Sequence, residues 1–170
     1  MENINPTTIQ QDEQEEVRIR LKSTRFDAQA SLFTEEDAPL CPTEDKDPEP
    51  EVIEINARGV LCRRDGRMEI SYEETEATGM AGSVTAISFR EDEADVVSMI
   101  REGAVSTVLV FEEGCRHHCL YQTPFMPFEV CVHTLKVDNR LLCDGHLSLD
   151  YIIEIRGARA ERTKFEMDVL

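Results

Sequence analysis

The stretch DGHLSLDYIIEIR (Asp144 to Arg156) decides the fold. Leu147, Leu149, Tyr151, Ile153 and Ile155 alternate with His146, Ser148, Asp150, Glu154 and Arg156, and Ile152 is the one apolar residue out of step. A period of two sends successive side chains to opposite faces of a pleated strand, so the pattern describes a strand with one buried face. The Asp-Gly before it supplies the positive-φ backbone of a hairpin turn.

The same alternation recurs along the chain. Val17, Ile19 and Leu21 oppose Arg18, Arg20 and Lys22. Met68, Ile70 and Tyr72 oppose Glu69, Ser71 and Glu73, and Phe165, Met167 and Val169 oppose Lys164, Glu166 and Asp168. Pairs ending in glycine punctuate the segments at Asp65-Gly66, Glu102-Gly103, Glu113-Gly114 and Arg156-Gly157, with TGMAG (Thr78 to Gly82) between. Almost no helical period appears. Strands are predicted near 15–26, 51–62, 67–74, 83–90, 94–101, 105–112, 116–122, 128–137, 146–156 and 160–169.

Sequential hairpins make a meander, and twist together with the cost of unpaired edges drives a long meander to close on itself. The predicted fold class is therefore all-β, an antiparallel up-and-down barrel of about 8–10 strands. Ile70, Tyr72, Ile87, Phe89, Val130, Val132, Leu149, Tyr151 and Phe165 should point inward. Residues 15–170 read as one domain behind a polar, disordered tail at 1–14. An acidic Pro-rich loop at 34–51 (TEEDAPLCPTEDKDPEPE) interrupts it. That loop reads as a solvated insertion, with a docking segment as the alternative.

Composition excludes some partners. A net charge of −17 over 170 residues argues against nucleic acid and against anionic membrane surfaces. It would steer a basic protein partner toward the chain. No apolar run approaches the length of a spanning helix, and MENINPTTIQQDEQEE has neither the basic nor the apolar region of a secretory signal. A cytoplasmic location follows as an expectation, and the six cysteines are then expected as reduced thiols.

The segment GCRHHCLYQTPFMPFEVCVH (Gly114 to His133) raises a metal question. A register that put Cys119 opposite Cys131 and His117 opposite His133 would bring two thiolates and two imidazoles to one face, a set that zinc accepts. The segment lacks a C-x-x-C knuckle, and a one-residue slip would scatter the four. The simpler reading has the cysteines as small hydrophobes and the histidines as polar strand residues, with no metal and no cofactor. No G-x-S-x-G, P-loop, G-x-G-x-x-G or H-E-x-x-H motif occurs, so no constellation for an enzyme stands out. Glu74 with Tyr72 at a barrel mouth could do acid–base work if buried. Arg101, ending an apolar run, could hold an anionic ligand or cap its hairpin.

In order and spacing, ISYEET, SVTAISF, SMIREGAVSTVLVFEEG, YQTPF, HTLKV and DGHLSLDYIIEI resemble the YwiB-like family of bacterial calycin-type barrels, a domain of unknown function found mostly in Firmicutes. The resemblance implies a lipocalin-like barrel and no established activity. Tyr72, Glu74, Arg101, Gly103, Tyr121, Thr123, Pro124, Thr134, Gly145 and Tyr151 match its recurring pattern. The chain departs from it at Met126-Pro127, after the aromatic of the TPF turn, and the Cys/His cluster is not part of it.

Together these readings favour a barrel that binds a small apolar or amphipathic molecule without catalysis. The candidate residues at its interior or mouth are Tyr72, Glu74, Arg101, Tyr121, Thr123, Thr134 and Tyr151. The alternative is a solid barrel that engages a basic partner through its acidic surface.

Overall fold

The computed structural model describes residues 13–27, 49–155 and 160–170. The predicted tail up to residue 12, most of the acidic loop, Cys41 and the Arg156-Gly157 turn lie outside them. Among the described residues ten strands form: β1 Glu13–Asp27, β2 Glu51–Arg64, β3 Arg67–Glu73, β4 Ser83–Arg90, β5 Glu93–Gly103, β6 Ser106–Glu112, β7 Arg116–Gln122, β8 Pro127–Arg140, β9 His146–Ile155 and β10 Ala160–Val169. Each pairs antiparallel with its neighbours in sequence, and β1 pairs with β10 to close the barrel. The all-β up-and-down barrel is therefore the fold.

The main departures from the predicted bounds are at strand ends. β1 begins at Glu13 because Glu13 and Gln14 pair with Arg63 and Cys62 of a longer β2. Polarity conceals such residues, since neither face of that extension is buried. β8 runs on to Arg140 because Lys136 to Arg140 pair with Asp150 to His146.

Turn chemistry differs from hairpin to hairpin. Asp65 and Gly66 have φ of 50° and 72°, the two positive values of a type I′ turn. Asp144-Gly145 does not repeat this. There the amides of Cys143, Asp144 and Gly145 all donate to the Arg140 carbonyl, at 2.9, 3.0 and 3.2 Å, in a longer connection. Between β6 and β7, the Cys115 amide donates to Glu112 O at 3.0 Å. Gly114 then donates to Thr134 O at 2.9 Å, and Thr134 donates to Cys115 O at 3.1 Å. With Gly114 at φ 77°, this is a G1 bulge that sets Thr134 opposite Cys115.

Inward faces carry the core. All nine residues predicted to point inward are buried, from Ile70, Val132 and Leu149 at 0 % exposure to Phe165 at 8 %. Met68, Val97, Phe111, Leu147 and Met167 join Ile70, Ile87, Phe89, Val132 and Leu149 in a filled half of the barrel, away from the cavity described below. Outer faces carry ion pairs such as Arg20–Asp168 (2.8 Å), Arg162–Asp150 (2.7 Å) and Arg116–Glu154 (2.9 Å). Exposed pairs of this kind are screened by water and contribute little to stability. No helix among the described residues is long and apolar enough to cross a membrane.

Candidate functional site

The other half of the barrel is hollow. A cavity of about 390 Å³ opens where β1, β3, β5, β7 and β9 end and β2, β8 and β10 begin. Its wall is mostly apolar, including Leu21, Ile53, Ile55, Leu109, Phe128, Val130, Ile153 and Phe165. The alternation that makes each strand half-buried supplies this wall, because every second residue of every strand must face the axis.

A small polar cluster is sunk into that wall. Glu74 and Arg101 have side chains only 2 % and 9 % exposed, and Arg101 Nη2 lies 3.4 Å from Glu74 Oε1. Thr85 joins them: its hydroxyl donates to Glu74 Oε1 at 2.5 Å and accepts from Arg101 Nε at 3.0 Å. Arg101 Nη2 also reaches Met99 Sδ at 3.7 Å. The register explains the meeting. Thr85 pairs with Arg101 across β4–β5 and with Tyr72 across β3–β4, so all three share the inward face.

Two tyrosines complete the polar lining. Burial, reinforced by the Glu74 charge, pushes the Tyr72 hydroxyl far above its ordinary range. Burial pushes Tyr151 up to about 12, against the opposing pull of Arg101 and Arg25. Both are therefore neutral hydrogen-bonding groups at any physiological pH. Tyr151 packs its ring 4.8 Å from that of Phe111. Nearer the rim, Tyr121 stacks on Phe128 at 5.2 Å, and its hydroxyl reaches Met80 Sδ at 3.9 Å. Met80 belongs to the β3–β4 connection, whose 3-10 turn (Glu76–Thr78) bends over the mouth.

Five of the seven candidate residues thus line one cavity: Tyr72, Glu74, Arg101, Tyr121 and Tyr151. Thr123 does not line it. Its Oγ1 accepts from the amides of Phe125 and Met126 and donates to Met126 O, which fixes the TPF turn. Thr134 does not line it either; it is wholly buried beside the β6–β7 bulge, and its Oγ1 has no partner among the described residues. Beyond the predicted set, Met99 and Thr163 line the cavity, and Thr85 belongs to the site through its bonds to Glu74 and Arg101. The parity that placed Ile87 and Phe89 inward also places Thr85 inward, so the signal was available.

The conjectured four-ligand metal set does not assemble. The observed register pairs His117 with Val132, His118 with Cys131 and Cys119 with Val130. It is one residue away from the register that the set required. His117 and Cys119 face inward, whereas Cys131 and His133 face outward with His118 and Arg116. Cys131 is nevertheless 8 % exposed. Cys62, Cys115, Cys119, Cys131 and Cys143 are free thiols.

A search of curated proteins gives no match. Among solved structures, the crystal structure of ywiB protein from Bacillus subtilis is similar, with a TM-score of 0.58 and 17 % identity over 91 % of this chain and 93 % of that one. At that identity the likeness concerns the fold. The sequence itself matches the family described as Domain of unknown function (DUF1934) over residues 41–167. That span runs from before β2 almost to the end of β10 and takes in every residue of the polar cluster, and with it the chain belongs to the DUF1934, YwiB-like family.

Proposed function

We propose that the barrel holds one small amphipathic molecule in its cavity, without chemical turnover. The observation that carries this reading is a cavity of about 390 Å³ with an apolar wall and a few convergent polar groups at Tyr72, Glu74, Arg101 and Tyr151. Small-molecule sites have this size and this lining. A closed antiparallel barrel around such a space is also the lipocalin-like arrangement, which adds support by fold analogy.

The apolar part of the ligand would lie against Ile53, Ile55, Ile153 and Phe128, and its polar head would reach the cluster. Arg101 already spends Nε and Nη2 on Thr85, Glu74 and Met99. Its Nη1 donors and the two tyrosine hydroxyls are the groups that would meet an acceptor on the head. A neutral or singly anionic acceptor suits them better than a cation, because Glu74 is already compensated.

The test uses a fluorescent amphiphile such as ANS and medium-chain fatty acids and alcohols as competitors. Saturable binding of one equivalent, abolished by Ile153→Trp at the wall, is the expected result. Equal weak binding by the wild type and Ile153→Trp, with no native-mass adduct, would remove the proposal.

A further inference from the structure

Three different metal-binding donors meet at the turn between β6 and β7, apart from the cavity. A carboxylate oxygen of Glu112, Cys115 Sγ and a ring nitrogen of His117 all lie within 4.8 Å of one another. His117 Nε2 is 3.2 Å from Glu112 Oε2. The turn itself makes the cluster. The hydrogen bond from Cys115 N–H to Glu112 O folds residue 115 back beside residue 112. The period of the strand then sets His117 on the same face as Cys115.

Zinc holds sulfur at ~2.3 Å and nitrogen or oxygen at ~2.0 Å, so tetrahedral ligand atoms sit roughly 3.3–3.7 Å apart. Closing the present spacing needs side-chain movements of about 1 Å, within rotamer adjustment. The donor set of one thiolate, one imidazole and one carboxylate suits zinc and disfavours calcium or magnesium.

Thr134 supplies an independent sign. It is 0 % exposed, and its Oγ1 is a buried polar atom with no hydrogen-bond partner among the described residues. A buried hydroxyl left without a partner loses its bonds to water and gains none in return. The G1 bulge sets Thr134 directly opposite Cys115, and opposite residues share a face. A water on the fourth position of a metal at this cluster would give that hydroxyl its missing bond.

We propose that Glu112, Cys115 and His117 bind a zinc ion, with water as fourth ligand beside Thr134. Burial and the Glu112 carboxylate hold the Cys115 thiol above its ordinary range. A divalent cation among the three reverses that pressure. The site would also clip a weak seam, since β6 and β7 share only two registered pairs, Ser106↔Gln122 and Thr107↔Tyr121.

The test takes the full chain, stripped by chelator, and titrates it with zinc by calorimetry and with cobalt by absorption. The expected result is one equivalent bound, a thiolate-to-cobalt charge-transfer band, and loss of that band in Cys115→Ser. His117→Ala should weaken zinc by at least about ten-fold, and Thr134→Val by about ten-fold as an outer partner. Cys143→Ser, an exposed control, should bind as the wild type does. Should the site variants fail to fold, alkylation of the wild type gives the answer: zinc should protect Cys115 and leave Cys143 reactive. No zinc uptake, uptake indifferent to Cys115→Ser, or equal alkylation of Cys115 with and without zinc would overturn the assignment.

Discussion

Arg101 and Glu74 form an ion pair within the barrel wall, Nη2 to Oε1 at 3.4 Å, with side-chain exposures of 9 % and 2 %. In so dry a place neither charge is tolerable alone. Each is neutralised by the other and further held by the Thr85 hydroxyl. The pair is therefore an obligate unit, whatever the cavity holds.

Removing one partner should cost more than removing both. Arg101→Met leaves Glu74 buried and uncompensated, a loss of about 3–5 kcal/mol. Glu74→Gln strands Arg101 in the same way. The double variant Arg101→Met/Glu74→Leu should lose less than the sum of the two single losses, and urea unfolding of all three measures the coupling. Additive losses would show that water screens the pair.

The buried tyrosines should mark the alkaline limb of stability. The folded-state values of Tyr72 and Tyr151 are raised, Tyr151 to about 12, whereas an unfolded tyrosine ionises near ~10. Between those values the folded chain binds more protons than the unfolded one, so stability falls as pH rises through that window. Absorbance titration of the three tyrosines should show two that ionise only at or beyond about 12, or with unfolding. Tyr72→Phe and Tyr151→Phe should each flatten the alkaline decline.

Gly103 ends β5 at a φ of 133°, and a Cβ there would lie 2.3 Å from Gly82 O and 2.7 Å from Ser83 Cα. Backbone atoms cannot step aside as a side-chain tip can. Gly103→Ala should thus cost clearly more than Gly66→Ala, whose Cβ would meet nothing within 4 Å. For Gly66 the loss should be only the ~1–2 kcal/mol of left-handed backbone. Paired thermal melts compare the two. A similar drop in both would mean that the β3–β4 connection moves freely away from Gly103.

Strand parity carried most of this architecture. A residue's neighbours two places away fix its face, so Tyr72 and Tyr151 could be placed from the chain alone, whereas Arg101 follows a run with apolar residues at both parities. Register between strands could not, because it depends on turns whose type one glycine hardly determines. At Asp65-Gly66 the dipeptide and the turn agree; at Asp144-Gly145 they do not. The bulge at Gly114 fixes how β7 meets β8, and with it whether Cys131 shares a face with Cys119. Hollowness was also hidden. Leu149 and Val130 follow the same parity, yet only Val130 borders the cavity. That difference lies in how far along the barrel each sits, which periodicity does not encode.

Asp168 should set part of the acid limb. It accepts from Arg20 Nη2 at 2.8 Å, and its other oxygen lies 2.7 Å from His146 Nδ1. The bond with His146, followed by that from Arg20, lowers its folded-state value below the usual carboxylate range. The contribution is whole above the unfolded value of ~3.9 and is lost as pH falls through the depressed folded value. Both partners remain partly exposed, with side-chain exposures of 49 % for Arg20, 30 % for Asp168 and 22 % for His146, so the effect should stay below about 1 kcal/mol. Asp168→Asn should accordingly be less stable than the wild type at neutral pH and should converge with it in strong acid. Urea midpoints measured across the acid range make the comparison. A gap that persists unchanged into strong acid would assign the loss to packing at the β1–β10 seam rather than to the carboxylate charge.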